Sequence, residues 1–158
     1  MSRLLSERNR LEGLLRRELS GQAALLELLR RQEAAVISRT PEPLAEVTEC
    51  IERELASAAA HRLEREPVMQ RLAGLLGVAP TALTLGSLIE RLGEDGQRLQ
   101  PLRDELRDMT AKVVRHNRRV AALVGLHRRL NQEVLEHLLA QDDSNPLERS
   151  GALVDAEV

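Results

Sequence analysis

The side chains that could do chemistry in this chain are four histidines, one cysteine and a large set of arginines and carboxylates. Metal binding is the first reaction class to test, because neutral imidazole is a common zinc ligand. His116, His127 and His137 recur at intervals of 11 and 10 residues. On a helix rising 1.5 Å per residue each interval is about 15 Å, too far for one ion. Glu133 and His137 stand four residues apart and make a two-ligand pair, but the paired Glu-x-x-His of di-metal bundles is missing. Nucleophilic catalysis needs a thiol or hydroxyl beside a base. Cys50 instead adjoins the apolar positions Val47 and Ile51, which suits packing, and a single cysteine leaves no intrachain disulfide. His61-Arg62-Leu63-Glu64 is an ordinary helix-surface combination, and no Gly-rich phosphate loop is present. The expectation is a protein without catalytic residues, metal or cofactor.

What would position these residues is a set of long helices. The chain contains no Phe, Tyr or Trp, yet 31 of its 158 residues are leucine. Sheets recruit aromatic and β-branched residues, and small-molecule sites and single-strand nucleic-acid grooves lean on aromatic faces. Helical hairpins close with Leu, Val and Ala alone. Arg and Lys number 23 against 25 acids, for a net charge of −2. The signs alternate, as in Arg62-Leu63-Glu64-Arg65-Glu66, which predicts solvated helix faces and argues against nucleic acid. The opening Met1-Ser2-Arg3-Leu4-Leu5 has no secretion core. The longest apolar run, Val120 to Leu126, is far short of the ~20 residues of a membrane span. A cytoplasmic protein without membrane insertion is expected.

Periodicity places the elements. Leu4, Leu11, Leu15, Leu25, Leu29 and Val36 fall at heptad spacing over a first helix of about 2–38, interrupted by Glu18 and Gln22. Gly13 and Gly21 weaken it by about 1 kcal/mol each relative to Ala, and would permit a bend or a close backbone approach. Thr40 is a candidate N-cap for a second helix, with Pro41 in its first turn. That helix carries Leu44, Val47, Ile51, Leu55, Ala58 and Leu63 on one face, and Pro67 divides it into 41–66 and 68–76 as a kink or a turn. Gly77 caps it. Thr84 caps a short connector helix, 85–92, which Gly93 to Gly96 stop. A last helix covers about 97–140, and 141–158 read as a flexible tail. The fold class is all-α: an elongated antiparallel helical hairpin or coiled coil with a kinked second helix and a short connector helix. Residues 1–140 form one domain, with the two long helices expected to pair antiparallel.

The last helix changes character along its length. Leu99, Leu102, Leu106, Met109 and Val113 subtend only about 80° at ~100° per residue, which one partner helix covers. Beyond them, Val120, Leu123, Val124, Leu126, Leu130, Val134, Leu135, Leu138 and Leu139 spread over roughly 220°. A two-helix hairpin cannot bury that arc, so either other helices of the chain wrap it or another protein does. Asn117 and Asn131 would set register if they lay on a coiled-coil seam.

These residues resemble the FlgN family of flagellar type III export chaperones over nearly the whole length. The leucine-rich opening Leu11-Glu12-Gly13-Leu14-Leu15-Arg16-Arg17-Glu18 and Leu25-Leu26-Glu27-Leu28-Leu29 is similar to the family's first helix. Leu83-Thr84-Leu85-Gly86-Ser87-Leu88-Ile89 resembles its mid-chain helix. Asn117-Arg118-Arg119-Val120 and Leu130-Asn131-Gln132-Glu133-Val134-Leu135 resemble its Asn-then-aliphatic repeats, and Asn145 to Gly151 a short motif after them. Members often carry an aromatic where this chain has Leu147. The resemblance implies a chaperone that binds the terminal helices of unassembled hook-associated proteins and delivers them to components of the export apparatus. It also implies that cargo is held by the C-terminal helical region, where Val120 to Leu139, with Asn131, are the candidate partner-binding residues. A coiled-coil adaptor or self-associating scaffold, in the form of a homodimer, is the alternative.

Overall fold

A computed structural model describes residues 2–143, and side chains for residues 3–139. Four α-helices carry the chain: α1 (Ser2–Ser38), α2 (Pro41–Leu76), α3 (Leu85–Leu92) and α4 (Leu99–Asp143), with no strand among the described residues. The all-α fold follows the sequence expectation, and an antiparallel hairpin is present, though between other helices than the pair expected. Compact units comprise residues 1–120 and 121–158, and α4 belongs to both; the expected boundary at residue 140 falls inside this helix. The motif at Asn145 to Gly151, Leu147 and the rest of the expected tail beyond residue 143 lie outside the described residues.

In the first unit, α1 and α2 form the hairpin. Glu7 meets Arg71, Glu18 meets Arg65 and Gln32 meets Thr48, so one helix ascends as the other descends. Over residues 99–120, α4 runs beside α1 in the same direction, with Gln22 opposite Thr110 and Glu33 opposite His116. The antiparallel partner of α1 is therefore α2, where the sequence suggested the last helix. The reason is the turn at 39–40, too short for anything but reversal, whereas the 77–98 connector returns the chain to the start of α1.

That turn is made by Arg39 in the left-handed region, φ 55°. Its N–H donates to the Val36 carbonyl at 3.4 Å and that of Thr40 to Ala35 at 3.2 Å, closing α1 as a glycine normally would. Thr40 does not cap α2 with its side chain; its hydroxyl instead lies 2.8 Å from the Ser38 hydroxyl. Pro67 sits inside a continuous α2 and does not divide it. The proline removes the donor for the carbonyl four residues back, that of Leu63, and Leu63 is solvent-exposed. Gly77 ends α2 with φ 66°, and Val78 N–H reaches Ala73 O at 3.0 Å. Thr84 and Ser87 cap α3 reciprocally: Ser87 N–H donates to Thr84 Oγ1 at 3.1 Å and Thr84 N–H to Ser87 Oγ at 3.0 Å. Ser replaces the usual Glu or Gln of this box.

The core lies at the end of the hairpin where α3 packs. Leu11 and Leu15 of α1, Val68 and Leu72 of α2, Leu88 of α3 and Leu99 of α4 are fully buried. Each such side chain stabilises the fold by about 1.5–3 kcal/mol. α3 and the start of α4 are locked together at Gly96, where a Cβ would collide with the Ile89 carbonyl, so only glycine fits.

The middle of the hairpin is polar, which accounts for the gaps in the leucine heptads. Glu18 pairs with Arg65 at 2.7 Å and Arg17 with Glu64 at 3.0 Å. Gln22 Oε1 accepts from the Thr110 hydroxyl at 3.0 Å. A Cβ at Gly21 would stand 3.0 Å from the flexible Glu54 carboxylate, and one at Gly13 would meet nothing, so neither glycine is required by close backbone packing. Part of the alternating charge on α2 is thus an interhelical zipper rather than a solvated face. Arg8, which neither motif nor spacing singles out, is buried and donates to the Asp95 backbone carbonyl at 2.9 Å.

Candidate functional site

The residues that sequence analysis set aside as chemical do not converge. Among the described residues, no group of three or more His, Cys, Asp and Glu could hold a metal ion. Cys50 is half-buried and accepts a hydrogen bond from Arg53 Nη2 at 3.0 Å. His116 faces α1, its Nε2 2.9 Å from Glu33 Oε2, while Arg119 Nε lies 2.6 Å from the other carboxylate oxygen. Both are approaches by distance: neither His116 Nε2 toward Glu33 Oε2 nor Arg119 Nε toward Glu33 Oε1 is aligned as a hydrogen bond. Arg119 and Glu33 form an ion pair, to which His116 adds charge only when protonated. Asn117 and Asn131 are both exposed, so neither sets register in a buried seam.

The two halves of α4 differ as the leucine pattern suggests. In the first, Leu99, Leu102 and Leu106 are buried and Met109 and Val113 half-buried, the narrow stripe being covered by its neighbours. Val120, the first of the candidate residues, is also buried at 4% exposure. It closes the packed stretch of the first unit and is removed from the open face. Leu123 is half-buried.

From there the aliphatic side chains of the second unit stand in solvent. Val124, Leu126 and Leu130 are 40–45% exposed, and Val134, Leu135, Leu138 and Leu139 are 56–65% exposed. Asn131 is exposed among them. A scattered exposed leucine is ordinary, but a contiguous aliphatic face marks an interaction surface or an aggregation hazard. The geometry offers no convergent polar groups, so what it can do chemically is bury apolar surface. Between the two outcomes left open by the broad arc, the described residues leave it uncovered.

Exposed aliphatics also occur on α2, at Leu55 and Leu63. The sequence placed them on the same face as Val47, which is buried. In the structure the surface α2 turns toward α1 at mid-hairpin carries Glu54 and Arg65 instead, rotated from that stripe.

The first unit, an antiparallel hairpin with a third helix alongside, and the second unit, a helix bearing an open aliphatic face, define an all-α helical protein. The chain belongs to the FlgN family: the family model described as FlgN protein matches residues 1–147. This is generally a family of flagellar export chaperones. The match spans all the described helices, including the open face. No curated protein and no solved structure matches the chain. No described helix is long and apolar enough to cross a membrane.

Proposed function

We propose that this chain is a cytoplasmic chaperone that holds unassembled flagellar hook-associated proteins and delivers them to the flagellar export apparatus. The observation that carries the reading is the aliphatic face from Val124 to Leu139, left in solvent by the helix that bears it. A cargo protein's amphipathic terminal helix would lay its apolar side on this face, as in other helix-in-groove complexes. With no Trp or Tyr on the chaperone's side, the large anchors that dominate many interfaces must come from the cargo. A leucine-and-valine surface without such anchors suits a carrier that has to let go.

The test is a pulldown and titration of the purified chain with hook-associated proteins, each with and without its terminal helical segments. Capture that requires those segments supports the reading. A constant dimer in sedimentation, with no capture of any hook-associated protein, would assign the face to self-association instead.

A further inference from the structure

The alternation of charge that holds along α2 fails in α4. Between Asp108 and Glu133 there is no acidic residue, while Lys112, Arg115, Arg118, Arg119, Arg128 and Arg129 all fall in that interval. Within the first unit, Lys112, Arg115, His116 and Arg119 lie within about 100° of arc at ~100° per residue. They share a groove of about 240 Å³ with Leu26 and Arg30 of α1. Lys112 and Arg115 are exposed, and neither has a carboxylate within ion-pair distance among the described residues. Three acids moderate the site: Glu27 lies 3.4 Å from Arg30, Glu33 is taken up by His116 and Arg119, and Asp108, one turn before Lys112, lines the adjoining groove with it.

We propose that this groove docks an acidic helical segment of a second protein, on a surface separate from the aliphatic face assigned to cargo. Lys112, Arg115 and Arg119 are spaced i, i+3 and i+7, about 10 Å from first to last along the axis. Carboxylates at i, i+3 or i+4, and i+7 on a facing helix repeat with the same period, so Lys112 and Arg115 are paired in one register, with Arg119, already held by Glu33, at the end of the row. Arginine favours this partner, because its planar fork binds carboxylates in bidentate fashion. A lipid surface is disfavoured, since interfacial helices set Trp, Phe or Leu beside their cations and the one leucine of this groove, Leu26, is buried. A nucleic-acid strand is disfavoured by the absence of any aromatic for stacking. The chain as a whole carries a net charge of −2, so attraction of an acidic segment has to be local.

The experiment uses the full chain and a fluorescein-labelled alanine-based helical peptide with Glu at i, i+4 and i+7, followed by anisotropy at low salt. The expected result is saturable binding that weakens with salt. Lys112→Glu with Arg115→Glu should lower affinity at least tenfold, and the glutamine pair at the same positions should lower it less. A control pair on α2, Arg53→Glu with Arg62→Glu, makes the same change in net charge and should alter affinity less than twofold. Circular dichroism of all variants should match the wild type, because the altered groove residues hold no ion pair in the fold. Equal losses from both glutamate pairs would overturn the proposal, as would peptide binding that none of them affects. Binding of phosphatidylserine vesicles or duplex DNA in place of the peptide would also overturn it. Hook-associated proteins take no part, so this result and the cargo result stand or fall separately.

Discussion

Replacing Leu135 and Leu138 together by Asp is expected to abolish useful capture of a hook-associated protein while the fold survives. Leu135 is 59% and Leu138 56% exposed, so a little over half of each side chain is available for a partner to cover. Full burial of a leucine contributes about 1.5–3 kcal/mol, which leaves roughly 1–1.7 kcal/mol to be gained at each position on docking. The pair is then worth about 2–3.5 kcal/mol, or roughly 30- to 300-fold in dissociation constant. Desolvating two carboxylates would add to the loss. The free protein has little to lose: replacing Leu by Asp on an exposed helix costs at most about 0.7 kcal/mol per residue in propensity. Titration calorimetry with a hook-associated protein measures the first quantity, and thermal melts followed by circular dichroism the second. Leu15→Asp, at a fully buried core position, supplies the unfolded reference. Affinity within threefold of wild type would refute the docking argument. A collapse of helicity like that of Leu15→Asp would show that the face is internal core.

Three further substitutions test the local geometry. Gly96→Ala should destabilise by about 1–3 kcal/mol, the cost of forcing a methyl into a packed site, because its Cβ collides with the Ile89 carbonyl; a denaturant midpoint unchanged from wild type would count against that contact. Arg39→Gly should raise stability by up to about 1 kcal/mol by relieving a left-handed residue at the α1 C-terminus, read as a shift in the same midpoint. The Asp104 carboxyl is held below its ordinary value of 3.8 by the hydrogen bond from Arg103, then by that from Gln100. A lowered folded-state value adds stability that is complete above the ordinary carboxyl range and lost as the pH falls through the folded value. Arg103→Ala should therefore move the Asp104 NMR titration midpoint upward, and an unmoved midpoint would remove Arg103 as the cause.

Most of the helical layout is legible in the order of residues. The α1 leucines, the Gly77 cap and the Thr84 cap sit where periodicity and capping chemistry place them. Pro67 misleads because its cost depends on whether the orphaned carbonyl can reach water, and that depends on which way Leu63 faces in the assembled hairpin. Arg39 misleads because the left-handed turn is imposed by tertiary closure, against the residue's own preference. The pairing of α1 with α2 is set by a two-residue turn, which periodicity does not weigh. The exposed face of α4 was legible in part: the breadth of its arc excluded a simple hairpin seam, but nothing in the residues distinguishes an arc that is wrapped from one that is bare. Val120 shows this limit, an apolar residue of the same pattern that lies on the packed side. Arg8 was invisible, since its partners across the fold, the backbone carbonyl and carboxylate of Asp95, lie 87 residues away in the chain.

That last contact has a consequence in time. Arg8 and Asp95 are 87 residues apart in the chain. At a synthesis rate of roughly 5–20 residues per second, the partner of Arg8 is made about 4–17 s after Arg8 itself. Leu11 and Leu15 wait over much the same interval for Leu88 and Leu99, which complete their core. During synthesis α2 reaches α1 first, and the part of the leucine stripe that packs on α3 and α4 stays uncovered until residues 88–99 are made. For those seconds the protein itself carries an open apolar face, the kind of surface we propose it shields in others.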